Sequence, residues 1–174
     1  ILKFFKVDPA KIEMIYNGID TAQYHKVSTQ DCFAKYGIDP AKPYVLFVGR
    51  ITRQKGVPGF VRALQLISPD IQVILCAGAP DTPEIAAETR ELVETLQAKR
   101  DGVVWIEDML PRHRIIQLEA CSTTFVTPSV YEPLGIVNLE AMAVGLPVVG
   151  TATGGIPDCI DDGVTGIELE ERVC

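Results

Sequence analysis

No apolar run in this 174-residue chain is long enough to cross a bilayer; the most continuous, around residues 44–48, would span a strand and no more. No basic-then-apolar leader opens it, so nothing in the sequence argues for secretion. Cysteine is scarce and scattered. Cys32, Cys76, Cys121, Cys159 and Cys174 are five in number and include no C-x-x-C pair. An odd, dispersed set excludes a disulfide frame or a zinc knuckle and fits reduced thiols of a cytoplasmic protein. Positive charge is short as well: 16 Lys and Arg against 23 Asp and Glu leave a net −7. That sign is wrong for wrapping nucleic acid or anionic lipid. Against these absences stands an ordinary globular composition, 47% hydrophobic and 22% charged, which excludes a disordered chain. The length fits one domain or a little more. The start Ile-Leu-Lys-Phe-Phe, without Met, and the abrupt stop at Cys174 read as a piece of a larger protein.

From Tyr44 onward, short apolar runs alternate with longer amphipathic ones. Strands are expected over residues 44–48, 71–77, 103–106, 123–127 and 147–150, with a further one over 166–169. Between them, Val57, Phe60, Val61, Leu64 and Ile67 recur at helical spacing, with Pro58 tolerated in the first turn. Asp81-Thr82-Pro83-Glu84 carries helix-start chemistry, and the helix it opens ends near Lys99, where the macrodipole favours a cation. Residues 111–120 and 135–144 read as helices, and 156–160 as a short one. This alternation implies βαβ units and a parallel sheet flanked by helices on both faces, a Rossmann-like α/β domain over residues 44–174. Residues 1–43 are less regular: a strand is expected over 11–16 and a short helix over 28–36, stopped by Gly37. Ligands of such sheets bind outside the carboxyl ends of the strands, which directs attention to three loops.

The first loop is Gly49-Arg50-Ile51-Thr52-Arg53-Gln54-Lys55-Gly56, running from a strand end into a helix N-terminus. Concentrated cations in an acidic chain suit an anion, with free helix N–H groups beside them; a solvated basic turn is the alternative. The loop is neither a G-x-G-x-x-G fingerprint nor a P-loop, since Gly56 rather than Ser or Thr follows Lys55. The second loop, Ser129-Val130-Tyr131-Glu132-Pro133-Leu134-Gly135, leads into a helix apolar nearly all round, which predicts burial. Glu140 and Asn138 are that helix's only strongly polar members. A carboxylate there needs a partner, either a structural bond to an amide or lysine, or a ligand. A second acid, Glu132, stands just ahead of the same helix, and two acids bracketing a helix N-terminus point to a site. The third loop, Thr151-Ala152-Thr153-Gly154-Gly155-Ile156-Pro157, is another strand-to-helix turn and on its own only a tight turn.

Together these pieces resemble the family 4 retaining glycosyltransferases, whose GT-B fold sets two Rossmann-like domains face to face. The resemblance rests on Tyr16-Asn17-Gly18-Ile19-Asp20, on Val48-Gly49-Arg50 through Lys55-Gly56, on Glu132 through Met142, and on Gly154-Gly155-Ile156-Pro157-Asp158. Glu132 and Glu140 stand in the family's E-x7-E spacing, and Asp158 replaces a commoner Glu. The wording of residues 49–56 and 129–142 is most similar to actinobacterial-type glycogen synthases, which use ADP-glucose.

The resemblance implies that this is the C-terminal, donor-binding half of such an enzyme, with the N-terminal acceptor domain absent. Arg50 and Lys55 would hold the donor diphosphate and stabilise it as it leaves. Gly49 and the N–H groups near Gly135 and Ile136 would line the phosphates. Glu140 would bind the ribose, Glu132 would lie by the transferred sugar, and Gly154 and Gly155 would shape the floor. The loop around Gly78 would lie near the base. The family's habit, and the lack of any D-x-D here, imply neither metal nor cofactor. The implied partners are a nucleotide sugar and an α-glucan or other sugar acceptor, with no nucleic acid and no transmembrane segment. His25 and His113 fall in no motif of the family and read as surface residues; the chain alone should bind donor weakly without turnover. The rivals are a stand-alone nucleotide-binding domain, a UDP- or GDP-sugar transferase, an epimerase or phosphorylase of the same fold, and an NAD-dependent domain. The missing dinucleotide fingerprint counts against the last.

Overall fold

The computed structural model describes residues 5–170. Its strands are β1 (Tyr44–Arg50), β2 (Gln72–Gly78), β3 (Val103–Ile106), β4 (Thr124–Thr127), β5 (Val148–Thr151) and β6 (Gly166–Leu169). They form one sheet in the order β3-β2-β1-β4-β5-β6, parallel at every pair. The helices are α1 (Phe33–Tyr36), α2 (Val57–Ala63), α3 (Pro83–Lys99), α4 (Arg112–Cys121) and α5 (Ile136–Ala143). The α/β, Rossmann-like expectation holds.

Strand β1 shows why both faces need cover. Tyr44 and Leu46 enter one core with Phe33 of α1, Ile116 and Leu118 of α4, and Ala141 of α5. Val45 and Phe47 enter the other with Val57, Phe60 and Val61 of α2 and Ile85, Val93 and Leu96 of α3. Period-two alternation in a run that is apolar throughout therefore feeds two cores at once. Helix α3 begins where its capping chemistry predicts, with Thr82 Oγ1 accepting from the Ile85 N–H at 3.4 Å. Residues 32–38 are tied into the same body. Cys32, Phe33 and Ile38 are buried, and the Gln72 amide bonds both the N–H and the carbonyl of Asp39.

Several boundaries differ from the sequence expectation. Residues 11–16 form no strand: a 3-10 turn at Pro9–Lys11 is followed by exposed chain, with Met14 and Ile15 in solvent and no neighbouring strand to pair with. The helix expected over 28–36 is the single turn α1. Residues 156–160 make hydrogen-bonded turns, with Cys159 and Ile160 N–H both on the Ile156 carbonyl, and the chain then bends away at Asp161. Helix α2 tightens into a 3-10 turn at Leu64–Leu66. Helix α5 is half-buried rather than enclosed: Asn138 and Ala141 face inward while Ile136 is 38% exposed.

The chain runs from β1 outward through β2 and β3, then returns to the other side of β1 for β4. This reversal opens a crevice outside the carboxyl ends of β1 and β4, the usual ligand position in such sheets. A separate apolar groove of about 680 Å³ lies beside α2 against β4 and β5, lined by Phe60, Val126 and Val149. His25 and His113 are exposed, as expected. The four described cysteines are unpaired, and Cys174 lies outside the described residues.

Candidate functional site

The three loops singled out by sequence meet at the β1/β4 crevice. Gly56 has φ +65°, and a Cβ there would sit 2.0 Å from the Pro128 carbonyl oxygen. Only glycine allows the loop after β1 to press so closely on the loop after β4. The seam is sealed by the Val130 N–H donating to the Gln54 carbonyl at 2.8 Å. Within the first loop, Thr52 Oγ1 accepts from the Lys55 N–H at 3.0 Å. Lys55 is thereby aimed at Glu132, and its Nζ donates to Oε2 at 2.5 Å. The third loop closes from the other side: Gly155 N–H donates to the Glu132 carbonyl at 2.7 Å. Gly154, at φ +60°, lies so close that a Cβ would meet the same oxygen at 2.0 Å. The hydroxyls of Thr151 and Thr153 bond the carbonyls of Ser129 and Val130.

Glu132 is the convergence point. Its side chain is 8% exposed and that of Lys55 20%, so the pair is largely withdrawn from water. Ser129 Oγ donates to the same carboxylate oxygen at 3.3 Å. Directly ahead lies the N-terminus of α5, opened by Gly135 without any side-chain cap. Uncapped N–H groups and a lysine ammonium together suit an oxyanion. Asn138, fully buried in the first turn of α5, accepts from Thr127 Oγ1 through Oδ1, while its Nδ2 has no partner among the described residues.

Glu140, farther along α5, has a partner the sequence did not suggest. The Tyr24 hydroxyl donates to its Oε1 at 2.6 Å, and the Arg112 guanidinium lies 5.8 Å from the centre of the Tyr24 ring. Burial and the bonded Glu140 carboxylate push the Tyr24 phenol up to about 12. Behind them, on α4, Glu119 is 1% exposed and neither of its oxygens has a partner among the described residues. Burial, with the charge of Glu140 second, pushes the Glu119 carboxyl up to about 8. One signal for this acid was present in the sequence: a glutamate one turn from Ile115 and Ile116 in the helix expected over residues 111–120.

Arg50 closes β1 at the same edge, but its guanidinium pairs with Asp81 at 3.0 Å and is largely exposed. Lys55, Glu132, Gly135, Ile136, Gly154 and Gly155 therefore form one cluster, with Gly49 and Arg50 on its β2 side. There a cavity of about 260 Å³ opens, lined by Gly49, Arg50, Cys76, Gly78, Glu107 and Met109. Cation, helix end, paired acid and adjoining cavity make a place for an elongated anionic ligand.

The family model for glycosyl transferases group 1 matches residues 28–172. An alpha-maltose-1-phosphate synthase of Mycolicibacterium smegmatis is 49% identical over 164 residues, covering 92% of this chain and 42% of that protein. A D-inositol 3-phosphate glycosyltransferase of Mycolicibacterium gilvum is 32% identical, covering 95% of this chain and 37% of its own length. Anabaena HepE, solved in complex with UDP-glucose, superposes with a TM-score of 0.78 at 26% identity, over 91% of this chain and 43% of that one. The chain thus spans about two fifths of the curated relatives it matches. No helix among the described residues is long and apolar enough to cross a membrane. With a six-stranded parallel sheet, a β1/β4 crevice holding Lys55 and Glu132, and a family match over most of its length, this chain belongs to the group 1 glycosyl transferases.

Proposed function

We propose that this chain is the donor-binding half of a retaining, GT-B hexosyltransferase that takes glucose from ADP-glucose. The observation carrying the reading is the Lys55–Glu132 pair at the mouth of the crevice, beside the uncapped end of α5. An arriving diphosphate meets the Lys55 ammonium, the α5 N–H groups and, once it turns from Asp81, the Arg50 guanidinium. As the bond from the anomeric carbon to the phosphate oxygen breaks, these groups stabilise the negative charge left on the diphosphate. Positive charge develops on the sugar, where the Glu132 carboxylate stands to stabilise it. Glu140 accepts hydrogen bonds from the ribose, and the cavity by Gly78 takes the base. In this reading the protein's own cations meet the diphosphate charge, without metal or cofactor.

An N-terminal domain supplies the acceptor site; the greater length of the relatives leaves room for one. The motif wording favours an α-1,4-glucan acceptor, as in glycogen synthases. The 49% identical relative favours a second acceptor, because α-maltose 1-phosphate is a glucosyl unit joined to glucose 1-phosphate. Titration calorimetry of the chain against ADP, UDP and GDP and their hexose conjugates tests the donor; tightest binding of ADP-glucose is expected. Assay of the longest natural reading frame with ADP-glucose and either maltodextrin or glucose 1-phosphate separates the acceptors. Nucleotide binding with no transfer to either would leave a nucleotide-binding protein and end the transferase reading.

A further inference from the structure

Glu119 has no part in the function proposed above, yet it is a fully buried acid with no partner among the described residues. It stands on α4 with both carboxyl oxygens buried and unpartnered, and no lysine, arginine or histidine among the described residues pairs with it. The titratable groups that feel it are Tyr24 from the N-terminal segment, Tyr44 of β1, Cys76 of β2 and Glu140 of α5. None of these is cationic. Arg112, on its own helix, lies over the Tyr24 ring, and Arg114 of the same helix bonds the Tyr36 hydroxyl; neither pairs with Glu119. Tyr24 in turn donates to Glu140. A charge on Glu119 would lie in low dielectric, facing a second carboxylate that already holds one.

We propose that Glu119 is a positioning residue of the donor site: a neutral carboxylic acid behind Glu140 that keeps one negative charge in the Tyr24–Glu140–Glu119 corner. Its proton and a nucleoside on Glu140 are then bound cooperatively. The inference rests on the assignment of Glu140 to the ribose. With Glu119 neutral, the Glu140 carboxylate stays steady on the Tyr24 hydroxyl, and its remaining lone pairs accept ribose hydroxyls. When Glu119 loses its proton, two carboxylates share one corner. Their repulsion turns Glu140 from its place on Tyr24, and a ribose acceptor is lost. By linkage, nucleotide binding must hold the proton on as firmly as the proton aids the nucleotide.

The test is ADP affinity of the chain measured by calorimetry from about pH 6.5 to about pH 9. Wild type is expected to hold a flat affinity near neutrality and lose several-fold above about pH 8, where Glu119 ionises. The Glu119→Gln variant, neutral at every pH and of the same shape, is expected to stay flat. A merely structural role would shift affinity equally at all pH values and leave the slope. If Glu119→Gln keeps the wild-type alkaline fall, the inference is overturned. A second measurement needs no variant. At about pH 8.5, ADP binding in two buffers of different ionisation enthalpy should show proton uptake, and no uptake would also overturn it. The underlying assignment is tested apart, because Glu140→Gln should weaken ADP at all pH values. If it does not, Glu140 is not the ribose acceptor and both readings fall.

Discussion

Lys55 and Glu132 form a structural ion pair at the place where the proposed chemistry would occur. Their contact is short and shielded, so removing either leaves the other in partial desolvation with a lost charge-assisted bond. Lys55→Ala is therefore expected to weaken nucleotide binding by about 1–3 kcal/mol, measurable by titration calorimetry. Glu119 gives a prediction about stability. Its folded value, about 8, lies above the 4.5 of an unhindered glutamate, so the native state holds the proton that the unfolded chain releases. Stability on this account is full below about pH 4.5 and falls as pH rises through about 8. Glu119→Gln should remove that fall and add about 2–4 kcal/mol near pH 7, read as a Tm gap over wild type that widens from pH 5 to pH 8. At this scale the sequence singled out Arg50, Lys55, Glu132 and Glu140 by type and spacing, but not Glu119. It did not find Tyr24 as the partner of Glu140, because a contact between residues 116 apart in the chain has no local signature.

The strands and helices were legible wherever period and punctuation agreed. Strand β1 and helix α3 fall close to their expected bounds because an apolar run, a Thr-Pro cap and a terminal lysine each mark an end independently. Where only hydrophobicity spoke, the expectation failed. Residues 11–16 look like a strand but have no ladder neighbour, and 156–160 carry helical spacing too briefly to propagate a second turn. Seen as elements, the loops matter more than the helices they start. Gly56 lets the β1–α2 and β4–α5 loops touch, and the 2.0 Å approach to Pro128 leaves no room for a methyl group. Gly56→Ala should part the seam, lower the Tm by an amount equivalent to about 2 kcal/mol or more, and cost nucleotide affinity with it. Retained affinity at an unchanged Tm would show that the loops move independently.

On the scale of the whole molecule, the strand order places both acids at one edge, and the proposed function gives them different duties. In a complete transferase built on this chain, Glu140 would bind ribose in ground and transition states alike, so Glu140→Gln should chiefly raise the donor KM. On the proposed reading, Glu132 would face charge that develops only as the sugar departs. Glu132→Gln should reduce kcat by on the order of a hundredfold, about 3 kcal/mol, with ADP affinity nearly intact. Steady-state kinetics and direct ADP titration together decide it; the reverse pattern would exchange the two assignments.

The close approach at Gly154 carries a consequence for how such a site changes over generations. The backbone oxygen of Glu132 occupies the place where any other residue would put its first side-chain carbon. Every missense change of that codon therefore collides with the Glu132 carbonyl, whatever chemistry the new side chain brings. Ala152 and Thr153, just before it, are only partly buried and have no such bar. Variation in this turn is channelled into Ala152 and Thr153, while Gly154, packed on the Glu132 carbonyl, stays closed to mutation by sterics alone.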